Sequence, residues 1–125
     1  MMAGDLARSL GASLWFADAG IVPDDWQREA IRSQSRRQLW LCHRQAGKST
    51  TAALKALAKA TGSPGALVLL ISPSQRQSAE LLRKVVELHG RIAGLPKPAL
   101  ESLHRLEFES EVAGRILSLP SSEGL

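Results

Sequence analysis

Two stretches in the first third of the chain place apolar residues at helical spacing. Over residues 5–16 leucine recurs every four residues, which predicts a short amphipathic helix. A second helix is predicted over residues 25–35. Its start is indicated by Asp24 and by Gln27 three residues later, because this is the spacing of a capping box, in which each side chain bonds the backbone N–H of the other residue.

Two further helices are predicted farther along the chain. One covers residues 47–61 with alanine and leucine on one side, and Lys55 and Lys59 are expected to face solvent on the other. Another begins after Ser74, a residue type favoured at helix N-caps, and is expected to end at Gly90. Both helices are expected to cover the faces of a sheet.

Apolar runs between these helices predict the strands. Residues 38–42 and 66–71 flank the third helix, so that strand, loop, helix and strand form one right-handed βαβ unit. The run 66–71 is apolar throughout, as is typical of a strand buried on both faces of a parallel sheet. After a Pro- and Gly-rich loop over residues 92–98, residues 105–108 and 115–119 are predicted to form a hairpin. The predicted fold class is α/β, a parallel sheet flanked by helices.

Composition and charge narrow the classes of protein to which this chain can belong. It has 125 residues, of which 44% are hydrophobic, so it can form a folded core, and this composition argues against general disorder. A single cysteine excludes an internal disulfide. No apolar run reaches the roughly 18 residues that a membrane span needs. The net charge of +4 permits an acidic partner such as DNA without requiring one.

The loop before the third helix carries the candidate chemistry. Residues 42–50 contain Gly-Lys-Ser, the second half of the phosphate-binding pattern G-x-x-x-x-G-K-[ST], although Cys42 stands in place of the first glycine. Gly47 permits close approach of the backbone to a phosphate, and the helix N-terminus adds free N–H donors and partial positive charge. Lys48 is then expected to reach the β- and γ-phosphates of a nucleotide, and Ser49 to bind Mg²⁺. The alternative is a helix that merely begins with Gly-Lys-Ser.

One part of such a site is missing from the sequence. A phosphate-loop ATPase needs an acidic residue at the end of a second buried strand, where it holds the Mg²⁺ shell. The run 66–71 is followed by Ser72 and Pro73, and the run 115–119 is followed by Pro120. We therefore expect the chain to contain only part of an ATPase domain.

Four pieces of the sequence, in their order, resemble the large subunit of tailed-phage terminases, the DNA-packaging motor. They are Asp25-Trp26-Gln27, the loop 42–50 with Arg-Gln before x-Gly-Lys-Ser, residues 72–78 and residues 114–120. The resemblance implies a RecA-like, phosphate-loop ATPase domain. Residues 23–125 would be the N-terminal part of that domain, and residues 1–22 a helical segment before it.

The resemblance also implies roles for individual residues. The residues implied to bind ATP are Trp26, Gln27, Arg44, Gln45, Ala46, Gly47, Lys48, Ser49 and Thr50. Lys48 and Arg44 are the implied catalytic residues, and Ser49 is the implied Mg²⁺ ligand. Gln27 would read the adenine edge, with Trp26 packed near the base. Both have plainer alternatives, since Gln27 fits the capping box and tryptophan is mostly buried on average.

Cofactors, partners and location follow from the resemblance in the same way. The implied cofactors are ATP and Mg²⁺. The implied partners of the intact protein are double-stranded DNA, the terminase small subunit, the portal protein and further copies of the same chain, in the cytoplasm of a bacterial host and with no membrane. Two alternatives stay open. One is a fragment of another phosphate-loop ATPase such as a helicase, and the other is a non-enzymatic fragment that binds nucleotide.

Overall fold

A computed structural model describes residues 15–33, 35, 37–38, 47–92, 94–109 and 113–121. These ranges contain four helices and four strands, which together form an α/β fold. The helices are α1 (Trp15–Asp18), α2 (Asp25–Arg32), α3 (Lys48–Gly62) and α4 (Gln75–Arg91). The strands are β1 (Leu67–Ser72), β2 (Pro98–Glu101), β3 (Arg105–Phe108) and β4 (Arg115–Pro120). No helix in these ranges is both long enough and apolar enough to cross a membrane.

Several predicted elements are present with shifted ends. α2 stops at Arg32, earlier than predicted, because Ser33 already has an extended backbone. α4 runs through Gly90 to Arg91, so the prediction that Gly90 ends it is wrong. The helix ends only at Ile92, whose N–H still bonds the carbonyls of the last turn. β2 begins at the last residue of the segment that was expected to be a loop.

Two predicted elements lie largely outside the described residues. Of the predicted helix over residues 5–16, only the end is described, and it belongs to α1. Of the predicted strand over residues 38–42, only Gln38 is described, and Gln38 is not in a strand. The βαβ unit around the phosphate loop therefore stays a prediction.

The four strands form one mixed sheet in the order β1-β4-β3-β2. β1 and β4 are parallel, because α4 returns the chain so that β2 runs in the direction of β1, and the two reversals from β2 through β3 to β4 restore that direction. The β3–β4 and β2–β3 pairs are antiparallel. The predicted hairpin is thus confirmed, whereas the prediction of a parallel sheet is correct only for β1 and β4.

One face of the sheet, here called the packed face, lies against the helices. It carries Leu106, Phe108 and Ile116, which are all buried. α3 and α4 contact each other and both contact β1 and β4. The helical residues that complete this core include Leu54, Leu57, Leu82, Val85 and Leu88. Burying a side chain of this size stabilises the fold by about 1.5–3 kcal/mol, so this face holds the domain together.

The opposite face of β1, here called the open face, carries Leu67, Leu69 and Ile71. These side chains are 48%, 52% and 51% exposed, and they alternate with the partly buried Val68 and Leu70 of the packed face. Within the described residues, the prediction that this strand is buried on both faces is therefore wrong. A uniformly apolar run is compatible with one covered face or with two, and its pattern does not distinguish them.

The start of β4 is set against α3 by a direct backbone contact. Gly114 is buried beside Ala60, and a Cβ at Gly114 would overlap the Ala60 carbonyl. Only glycine fits at so close an approach. This contact helps to fix the orientation of α3, whose other end forms the candidate site.

Candidate functional site

The first turn of α3 positions the predicted phosphate-binding residues. Gly47 is the N-cap and has a left-handed backbone, with φ of 84° and ψ of 21°. Lys48 and Ser49 are the first helical residues, and both are exposed. The first N–H groups of a helix have no partner inside the helix, and the helix dipole gives this end partial positive charge. The described part of the loop therefore combines N–H donors, an ammonium group and a hydroxyl at one end of α3.

Position 47 requires glycine for two independent reasons. The positive φ of Gly47 is strained for any residue with a Cβ. The side-chain amide of Gln27 also occupies the space that a Cβ at this position would need. The conformation before α3 is therefore fixed both by the backbone of the loop and by a contact from α2.

Gln27 joins α2 to the start of α3. Its Nε2 donates to the carbonyl of Gly47 at 3.2 Å and to Oγ1 of Thr51 at 2.9 Å. Its Oε1 accepts the backbone N–H of Asp24 at 2.8 Å, so the predicted capping box is confirmed. The Gln27 side chain is only 4% exposed. Both of its amide hydrogens are thus used inside the protein, and a base edge would have to replace these bonds.

A second contact fixes the other end of α2 to α3. Lys55 Nζ donates to the carbonyls of Ala30 at 2.8 Å and Ser33 at 3.1 Å. The prediction that Lys55 faces solvent is therefore wrong, whereas Lys59 is exposed as predicted. Burial lowers the pKa of Lys55, because the charged ammonium loses solvation. α2 is thus held at both ends, by Gln27 and by Lys55.

A second ammonium group comes to the start of α3 from α4. Lys84 Nζ donates to Oγ1 of Thr50 at 3.2 Å. Because Thr50 directly follows Ser49, Lys84 adds positive charge beside the predicted phosphate site. Lys84 lies in no motif, and its contact depends on how two helices pack. It is not among the predicted site residues, and no local signal in the sequence marks it.

Of the predicted site residues that remain, the structure describes only Trp26. Arg44, Gln45 and Ala46 lie outside the described residues. Trp26 is partly buried in α2, one position before Gln27. Adjacent residues on a helix point about 100° apart, so Trp26 does not share the side of α2 that Gln27 turns to α3. The proximity of Trp26 to a base stays a prediction.

The two parallel strands end without an acidic residue. β1 ends at Ser72, which Pro73 follows, and β4 ends at Pro120, which Ser121 follows. Within the described ranges no group of three or more His, Cys, Asp and Glu could hold a metal ion. Among the described residues, the predicted Mg²⁺ ligand is therefore Ser49, at the start of α3.

A cavity of about 440 Å³ lies along α2. It is lined by Asp25, Arg28, Glu29, Arg32 and Ser33. The lining carries charges of both signs, and an exposed ion pair of 2.8 Å joins Asp25 to Arg28. Such a surface has no preference for an anion. The cavity is therefore not assigned to the phosphate site.

Comparison with known proteins does not add a family to this geometry. No family model matches the chain, and no curated protein matches it. The function must therefore be inferred from the chain's own residues.

Proposed function

We propose that this chain binds Mg²⁺-ATP at the start of α3, as the N-terminal part of the ATPase domain of a tailed-phage terminase large subunit. The observation that carries the proposal is the first turn of α3. Gly47 has the left-handed backbone of a phosphate loop, and the exposed Lys48 and Ser49 follow it at once. A helix that merely happened to begin with Gly-Lys-Ser would not need this conformation, because the backbone of an ordinary N-cap residue is extended.

Each group at this end of α3 has a part in binding the triphosphate. The free N–H groups of the first turn donate to phosphate oxygens, and the helix dipole favours their negative charge. Lys48 contributes a charge-assisted hydrogen bond, and Lys84 adds a second cation nearby. Bound Mg²⁺ would neutralise the phosphates, with Ser49 as its protein ligand among the described residues. Arg44, which precedes Gly47 by three positions, would add a cation from the loop.

The wider role is part of the same proposal. Four sequence pieces in the order of the terminase family support a RecA-like domain in a DNA-packaging motor. Double-stranded DNA, the terminase small subunit, the portal protein and further copies of the chain are the partners that this role requires. The location would be the cytoplasm of a bacterial host. The net charge of +4 is compatible with contact to DNA.

A second candidate function is nucleotide binding without turnover. The observation that favours it is the pair of strand ends, where Ser72-Pro73 and Pro120 stand in place of a carboxylate. Phosphoryl transfer needs a metal ion held in place and a group that orients the attacking water. A positioned base alone contributes about 10²–10⁴-fold in rate. Without both, the chain would bind ATP and release phosphate slowly or not at all.

The test of both functions uses Lys48→Ala, with Lys59→Ala as the matched control. Lys59 lies on the same helix and is exposed, so its replacement removes the same charge away from the site. A charge-assisted hydrogen bond is worth about 1.5–3 kcal/mol, so Lys48→Ala should weaken binding of a fluorescent ATP analogue at least about tenfold. Lys59→Ala should bind like the unaltered chain. Phosphate release with Mg²⁺ and DNA, measured on the same proteins, then separates binding from turnover.

Equal affinity of all three proteins, with helix content unchanged by circular dichroism, would rule out the phosphate site. Release of phosphate that depends on Lys48 and approaches the typical enzyme median of about 10 s⁻¹ would rule out binding without turnover. It would also mean that a carboxylate elsewhere in the chain completes the site.

A further inference from the structure

The carbonyl of Gly47 accepts an unusual number of hydrogen bonds for one backbone group. The backbone N–H of Thr51 donates to it at 3.0 Å, as the first bond of α3. Thr51 Oγ1 donates to the same oxygen at 2.9 Å, and Gln27 Nε2 donates at 3.2 Å. Gln27 Nε2 also donates to Thr51 Oγ1, so the three groups form a closed cycle. Thr51 is fully buried and Gln27 nearly so.

We propose that Gln27 is a positioning residue of the phosphate site, and that it acts on the loop rather than on the nucleotide base. This inference rests on the proposed function, since it concerns how the same site is held ready for a triphosphate. The group that Gln27 acts on is the peptide between Gly47 and Lys48.

The geometry of the peptide bond links the Gln27 contact to phosphate binding. The peptide unit is planar and trans, so its C=O and N–H point in opposite directions. The cycle around the Gly47 carbonyl holds that oxygen toward α2 and the body of α3. The N–H of Lys48, at the other end of the same peptide, is thereby directed away from the helix, where a phosphate would be bound. Gln27 thus fixes the direction of one donor of the site.

The space around Gly47 supports the same conclusion. The Gln27 amide fills the volume of the missing Cβ, so the glycine admits the Gln27 side chain as well as a phosphate. The amide has no hydrogen left for a base, because both are donated to Gly47 and Thr51. Its oxygen accepts the N–H of Asp24. Gln27 is therefore expected to affect all triphosphates alike.

The test compares three ligands on the full chain: ATP, GTP and inorganic tripolyphosphate, which has no base. Gln27→Met keeps the length of the side chain and removes its hydrogen bonds. Thr51→Val removes the Thr51 hydroxyl from the cycle and leaves the capping contact of Gln27 with Asp24 in place. Thr51→Ser keeps the hydroxyl and serves as the matched control. Affinities are measured by calorimetry, with folding checked by circular dichroism.

We expect Gln27→Met and Thr51→Val each to weaken all three ligands by a similar factor of about five, and Thr51→Ser to bind like the unaltered chain. A loss confined to ATP in Gln27→Met would show that Gln27 reads the base and would overturn the inference. Unchanged affinities in Gln27→Met would also overturn it, because capping of α2 would then be the whole role of Gln27. Unchanged affinities in Thr51→Val would overturn the part of the inference that assigns the positioning to the closed cycle. If Gln27→Met does not fold, the Thr51 pair decides the question. Failure of the proposed function is a separate result, namely ligand binding that does not depend on Lys48.

Discussion

At the scale of single residues, Lys55 and Lys59 show that the helical repeat alone does not determine whether a side chain is exposed. They lie four positions apart on α3, and the helical repeat places them on the same side. Lys59 is exposed, whereas Lys55 reaches the last carbonyls of α2, those of Ala30 and Ser33. A cation at this position is favourable for the C-terminal dipole of α2. The difference between the two lysines comes from α2, which no repeat within α3 can reveal.

Lys55→Met is expected to lower the free energy of unfolding by about 1 kcal/mol, because it keeps the aliphatic chain and removes both hydrogen bonds. The exposed Lys59→Met is the matched control and should change it by less than about 0.5 kcal/mol. Urea unfolding at neutral pH measures both. Equal effects would mean that Lys55 does not hold α2.

The same residue gives an expected pH dependence. The pKa of Lys55 in the folded chain is lowered from its usual 10.5, so the unfolded chain binds the proton more tightly. The cost of burying the charge is fully present below the lowered pKa, and it is relieved as the pH rises toward 10.5. The stability of the unaltered chain should therefore rise relative to Lys55→Met over this alkaline window.

At the scale of elements, the features that could be predicted from sequence are those that depend on neighbours in the chain. The capping residues Asp24 and Ser74, the Gly-Lys-Ser start of α3 and the β3–β4 hairpin are all local, and all are present. β2 could not be predicted, because its pairing with β3 comes from the sheet and its sequence begins with proline. The hydrogen bonds of Gln27 and Lys84 at the candidate site could not be predicted either, because they also join elements that are distant in the chain.

Two glycines give opposite expectations when each is replaced by alanine. Gly114→Ala should lower the free energy of unfolding by about 2–3 kcal/mol, because the new methyl group would overlap the backbone of α3 at Ala60. Gly90→Ala should raise it by about 0.5 kcal/mol, because Gly90 lies within α4 with open space around it. The midpoints of urea unfolding would measure both changes in stability, with the slope of each unfolding curve unchanged. A neutral Gly114→Ala would mean that β4 and α3 can separate at little cost.

At the scale of the whole molecule, the main asymmetry is between the two faces of the sheet. The open face exposes a row of apolar side chains on β1, beside Leu117 and Leu119 of β4, which the strand register places on the same side. Contiguous exposed apolar surface of this kind binds dyes and promotes association. β1 is also an edge strand of the described sheet, and such edges are open to further pairing.

Leu69→Thr and Leu70→Thr compare the two faces at adjacent positions. Leu69→Thr should change the free energy of unfolding by less than about 0.5 kcal/mol relative to the unaltered chain. It should also lower the binding of an apolar dye such as ANS. Leu70→Thr should cost about 1–3 kcal/mol, because it places a hydroxyl on the packed face. If both variants lost the same stability, the open face would not be exposed in solution.

The place of β4 between β1 and β3 has a consequence for the order in which the sheet can assemble. β3 and β4 are close in the chain, so they can meet after a short loop closes, which takes about 1–10 μs for a hairpin. β1 can pair with β4 only after the long segment between them, which includes α4, has folded back, and this longer loop closure costs more chain entropy. The hairpin is therefore expected to act as the template on which β1 pairs late in folding. Substitutions in β1 would then mainly alter the rate of unfolding. Substitutions in the hairpin would mainly alter the rate of folding.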